Sequence, residues 1–174
     1  MKPVFLLFAS FVFLFGCSDD SSVSSRQGVL QLFLTDQPVE LQEVWVTITN
    51  IEVHKTGGAW IQFDASDENV DLLTLENREE LLQSAPLEEG KYTGIRLLVS
   101  EGHIIDSSNE RCELKVPSEK IQIPLNFNIE NGNETEVVLD FDAEKSIHVV
   151  QTGNNERCIL RPVILVKSVT NPQN

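Results

Sequence analysis

From Gly28 to Val169 the chain is written almost entirely in short runs of apolar and β-branched residues, each closed by a turn signal. Val44, Val46 and Ile48 alternate with Trp45 and Thr47, the period-2 pattern of a strand with one buried face. Asn50 interrupts the pattern, and Ile51 and Val53 fall on the opposite parity, so a bulge near Asn50 is needed to restore the face. Gly57-Gly58 then reads as a hairpin turn that pairs 44–55 with 59–64. Further strands are predicted over 29–34, 93–101, 103–106, 112–116, 120–127, 135–142, 147–150 and 158–169, with Pro124 and Pro162 marking edges or bulges. One stretch departs from this. Asn77 to Leu82 reads as a short helix stopped by Pro86, with Leu75, Leu81 and Leu82 able to cover one end of a core. About ten strands at regular spacing with one short helix predict an all-β sandwich or barrel.

The first residues follow a different rule. Lys2 precedes a run from Pro3 to Gly16 with no charged residue, which ends in Leu14-Phe15-Gly16-Cys17. That run suits the core of a signal peptide and is shorter than the roughly 20 apolar residues that cross a bilayer. The tetrapeptide resembles the bacterial lipobox. The resemblance implies cleavage after Gly16 and lipid on Cys17, and two or three acyl chains there give stable membrane attachment. Residues 1–16 are then a signal peptide, 17–27 a flexible Ser/Asp-rich linker, 28–169 the folded domain and 170–174 a tail. Ser18 follows the cysteine where an Asp would resemble an inner-membrane retention signal, so the expected location is the outer membrane of a bacterial envelope.

Composition narrows the function classes. With 27 acidic against 13 basic residues the net charge is −14, which repels nucleic acid and can attract cations. Hydrophobic content of 41% is that of a folded domain with a sizeable core. Once Cys17 is assigned to lipid, Cys112 and Cys158 remain, each preceded by Asn-Glu-Arg. In an oxidising compartment such a pair is a disulfide candidate, and the other reading is two unpaired buried thiols. Closing a loop of about 45 residues stabilises by roughly 4 kcal/mol in the chain-entropy model.

The order of the segments GVLQLFLTDQPVE, VWVTITNIEVHKTGGAWIQF, VDLLTLEN, LEEGKYTGIRLLVS, LKVPSE, VVLDFDAEKSI and LRPVILV resembles the bacterial domain of unknown function family 4382, over roughly Gly28 to Lys167. The family supplies no site residues. Leu87 to Tyr92 also looks like the turn-to-strand element of prealbumin-like and collagen-adhesin sandwiches. That likeness implies a Greek-key β-sandwich, transthyretin-like or Ig-like, of a kind that more often binds or spaces than catalyses.

The chain has no Gly-x-Ser-x-Gly elbow or phosphate loop, and His54, His103 and His148 sit near no Ser/Asp signature. Carboxylates offer more. Strand alternation places Asp140 and Asp142 on the face opposite Val137, Leu139 and Phe141, where they could share a cation or act as an acid/base pair, or simply lead a strand end into a turn. Asp64, Asp67, Glu68 and Asp71 form an acidic stretch read as a loop, either a calcium site or a solvated loop. Trp45 has outward parity and is a platform for sugar or protein, unless it packs under 70–84. The sequence therefore predicts a lipid-anchored envelope protein without enzymatic activity. It would need no cofactor, calcium apart, and would meet the membrane through its lipid and an envelope protein or glycan through its folded domain. The alternatives are a calcium-stabilised adhesin-like spacer and an envelope hydrolase using Asp140 and Asp142.

Overall fold

The structure is a computed structural model that describes residues 26–36, 40–152 and 155–171, excluding the side chains of 64–68, 152, 155 and 156. Among the described residues it has eleven strands: β1 Gln27–Asp36, β2 Glu43–Lys55, β3 Trp60–Asp71, β4 Glu80–Glu88, β5 Gly90–Ile105, β6 Arg111–Lys115, β7 Lys120–Ile129, β8 Glu134–Phe141, β9 Ile147–Thr152, β10 Asn155–Leu160 and β11 Ile164–Thr170. A 3₁₀ turn spans Leu72–Leu75, and a single-turn helix, α1, spans Ala143–Ser146.

The strands form two sheets. The smaller runs β11-β8-β1-β4, and the larger runs β3-β2-β5-β6-β10-β9. Strand β7 also belongs to the larger sheet, because β5 is long enough to pair along one edge with β7 over 90–98 and then with β6 over 103–105. Alternation explains how the sheets stack. Leu30, Leu32 and Leu34 of β1 and Val137, Leu139 and Phe141 of β8 are fully buried, in one cluster with Val46, Ile48, Ile51 and Val53 of β2 and Ile95, Leu97 and Val99 of β5. Each such side chain stabilises the sandwich by about 1.5–3 kcal/mol through area removed from water.

Several expectations are met in detail. The register of β2 against β3 shifts between Ile48 and Asn50, and this bulge returns Ile51 and Val53 to the core. Gly90, at φ 149°, makes the tight β4–β5 turn, and a Cβ there would lie 2.9 Å from the Lys55 side chain. Two residues on, Tyr92 is fully buried, donates its hydroxyl to the Glu88 carbonyl at 2.9 Å and stacks on Phe127.

Other expectations fail for physical reasons. Asn77–Leu82 is not a helix. Asn77 has φ 57°, and from Glu80 the chain pairs with β1, so an edge strand overrides local helix propensity. Leu75 and Leu82 are buried, but Leu81 is 47% exposed. The one short α-helix follows β8 instead. Pro86 and Pro124 lie within β4 and β7, whereas Pro162 splits the expected 158–169 strand into β10 and β11, which join different sheets. Residues 93–101 and 103–106, expected as two strands, fall in the single strand β5 except for Asp106, which lies just past its end.

Candidate functional site

Trp45 and Trp60 both lie on the β2–β3 hairpin, on the face of the large sheet that points away from the core. Their surroundings differ. Trp60 stands opposite His54 and reaches across β2 to β5, where a Cβ on Gly94 would come within 3.3 Å of its ring. The Arg96 guanidinium carbon sits 3.5 Å from the Trp60 ring centroid, a close cation–π contact. Arg96 also donates to Glu52 at 3.4 Å and to Gln122 at 3.3 Å. The His54 ring lies 4.9 Å from Trp60, and its Nδ1 is 2.7 Å from Thr93 Oγ1. This end of the face is closed.

At the Trp45 end the face is open. Strand register places Trp45 between Asp71 of β3 and His103 of β5, and His103 opposite Glu113 of β6. The Trp45 and His103 rings are nearly parallel, with centroids 6.4 Å apart. They line a groove of about 360 Å³ with Thr47, Asn69, Glu101, Arg111 and Glu113. Gly102 allows β5 to approach: a Cβ there would stand 2.4 Å from the Trp45 carbonyl oxygen. Thr47 donates its hydroxyl to Asn69 Oδ1 at 2.7 Å, which orients the amide and leaves its NH₂ as a donor. Arg111 Nε donates to Glu113 at 2.7 Å, and this hydrogen bond holds the Glu113 carboxyl below its ordinary value. The groove thus combines an aromatic face, an amide, carboxylates and a guanidinium, the mixture that orients a polar ligand.

The rim strand β6 is fixed covalently. Cys112 and Cys158 form a disulfide with Cα atoms 6.1 Å apart, tying β6 to its parallel neighbour β10. Leu114 and Cys158 point to the core, so Arg111, Glu113 and Lys115 alternate outward on β6.

The other sequence candidates are not brought together. Asp64, Asp67 and Glu68 lie in β3 rather than in a loop, where the register against β2 jumps from Glu68 to Asp64, and their side chains lie outside the described residues. Asp71 caps the 3₁₀ turn, accepting from the Leu73 amide at 3.1 Å. Asp140 lies in β8, but Asp142 does not continue the strand. It is buried as the N-cap of α1, accepts the Lys145 amide at 2.9 Å and pairs with the Lys145 ammonium. Alternation predicted a shared face, and the chain turns one residue too early for it. Among the described residues no group of three or more His, Cys, Asp or Glu could hold a metal ion. Cys17 lies outside the described residues.

A family profile described as a domain of unknown function, DUF4382, matches residues 27–162. The chain belongs to this family. Comparison with curated proteins and with solved structures finds no match. The DUF4382 match takes in the strands that build the open groove, from β2 to the disulfide pair β6 and β10. Asn69, His103, Arg111 and Glu113 were not singled out as site residues by sequence reasoning. The available signal was the alternation of Arg111, Glu113 and Lys115 about Cys112 and Leu114, which marks an outward polar row.

Proposed function

We propose that this DUF4382 protein is a non-enzymatic, lipid-anchored binding module of the bacterial cell envelope, and that it binds glycan through the Trp45 groove. The observation that carries the reading is the contrast between the tryptophans. Trp60 is covered by Arg96, whereas Trp45 shares an open groove with His103 and hydrogen-bonding side chains. An indole face beside amide and carboxylate groups suits a sugar ring, which has an apolar face and a rim of hydroxyls. The lipobox-like Leu14 to Cys17 supports the anchor, and the ten residues from Cys17 to Arg26 would separate lipid from β1.

Two experiments test this. Intact mass of the membrane-extracted protein is expected to show a chain beginning at a lipidated Cys17, and an unlipidated chain counts against the anchor. A panel of envelope and plant-wall oligosaccharides is expected to contain binders that Trp45→Ala loses and Trp60→Phe retains. A panel with no binders, or binding indifferent to Trp45→Ala, removes the groove from the reading.

A further inference from the structure

We infer that the Trp45 groove is built for an acidic glycan, a saccharide carrying carboxylate or sulfate groups; this rests on the glycan-binding reading above. The groove does not end at β6. A second cavity, of about 400 Å³, adjoins it and shares Arg111 and Glu113. Lys115 and Arg157 also line it, with the disulfide Cys112–Cys158 beneath. Together the two adjoining cavities, with the Arg111–Glu113 pair between them, cross the large sheet as a trough from Asn69 on β3 through β2, β5 and β6 to Arg157 on β10. From Trp45 on β2 to Arg157 on β10 is three strand spacings, roughly 14 Å.

The two ends of the trough differ in charge. Among the described residues the second cavity is lined by three cations, Arg111, Lys115 and Arg157, against one carboxylate, Glu113. This stands out in a chain of net charge −14. Elsewhere Arg26, Lys55, Arg96, Lys145 and Lys167 each pair with a carboxylate, whereas Arg78, Lys91, Lys120 and Arg161 make no ion pair among the described residues. Lys115 and Arg157 make no ion pair among the described residues. Arg111 gives Nε to Glu113, and its guanidinium carries further N–H donors suited to a carboxylate or sulfate. The disulfide holds the two cation-bearing strands in register. An acidic oligosaccharide would stack one ring on Trp45 and place the anionic group of a neighbouring unit among these cations.

The test is calorimetric titration of the full-length protein with oligogalacturonate, against its fully methyl-esterified form, which keeps the sugar backbone and removes the charge. An oligoglutamate of equal charge is the non-sugar control. Binding of oligogalacturonate at least roughly tenfold tighter than of the ester is expected, from several exposed ion pairs acting together. Lys115→Gln with Arg157→Gln, two exposed positions, should bring oligogalacturonate binding down to that of the ester and leave thermal stability unchanged. Trp45→Ala should weaken both sugars. Equal binding of the two sugars, both lost in Trp45→Ala, overturns the acidic preference and leaves the groove reading intact. Failure of both sugars to bind overturns both. Binding of oligoglutamate as tight as that of oligogalacturonate, unaffected by Trp45→Ala, shows simple ion exchange and also overturns the inference.

Discussion

The outer face of the large sheet has a closed end and an open end, each with a tryptophan from the same hairpin. At the closed end Trp60 lies over Gly94 and under Arg96, and Arg96 is tied to Glu52 and Gln122 on the flanking strands. At the open end the glycine opposite, Gly102, brings backbone to backbone instead of admitting a ring, and Trp45 is left beside His103 with a groove in front of it. The same residue type on the same strand pair therefore has a structural role at one end and offers a contact surface at the other. What decides between them is the neighbour on β5, two strands away from Trp60 and one from Trp45. An aromatic's own parity says only which face it occupies.

The comparison can be broken most severely through the disulfide. Reduction, or Cys112→Ser with Cys158→Ser, is expected to cost about 2–4 kcal/mol in urea unfolding. Hydrogen exchange should quicken in β6 and β10 while β7, at the closed end, stays protected; uniform loosening would mean that the two ends are not separable. The glycines come next. Gly102→Ala drives a Cβ to 2.4 Å from the Trp45 carbonyl oxygen, a backbone atom that no rotamer change can clear. It should cost about 1–3 kcal/mol. Gly94→Ala meets the Trp60 ring at 3.3 Å and the Ile123 carbonyl at 3.4 Å, contacts that need only a slight shift, and it should cost under about 1 kcal/mol. Equal losses in the two variants would contradict the asymmetry.

The tryptophans themselves give a smaller difference. Trp60→Ala removes the Arg96 contact and its packing on Gly94, for a loss of about 1–2 kcal/mol. Trp45→Ala should lose less than about 1 kcal/mol, since its ring partner lies 6.4 Å away.

The smallest effect is electrostatic. Glu113 at the open rim and Glu88, which meets Lys55 near the other end of β2, are both held below the ordinary 4.5 by hydrogen bonds, from Arg111 and Lys55 respectively. Lowered carboxylate values mean that each pair's contribution is complete above the unfolded value and is lost as pH falls through the depressed folded value. Lys55 is raised above 10.5, first through its hydrogen bond to Glu88, so its contribution is complete below 10.5 and fades as pH rises through the raised value. Carboxyl-detected NMR titration should find both glutamates below 4.5, and Arg111→Gln should return Glu113 alone towards it.

Much of the sandwich was legible in the sequence because its physics is local. Alternation in Val44 to Ile48, the parity change after Asn50 and the Gly57-Gly58 turn each fix a piece of β2 and β3 from a few residues. The failures lie where distant pairing decides. Asn77 to Leu82 has helical spelling, yet Asn77 turns the chain and the edge of β1 recruits it as a strand from Glu80. Asp142 continues the parity of Asp140, yet the chain turns into α1 and buries it as a cap. Trp45 was legible as outward-facing, but its groove was not. His103, Arg111 and Glu113 reach it only through the β2–β5–β6 register, which a reading of separate strands does not supply.

The most direct test uses the fact that the chain has two tryptophans. Each single-tryptophan variant, Trp60→Phe retaining Trp45 and Trp45→Phe retaining Trp60, is titrated with oligogalacturonate while indole emission is followed. A saturable change in emission from Trp45, with none from Trp60, is the predicted result. A change that follows Trp60, or saturable binding that leaves Trp45 emission untouched, would contradict the division of the sheet face into a closed structural end and an open binding end.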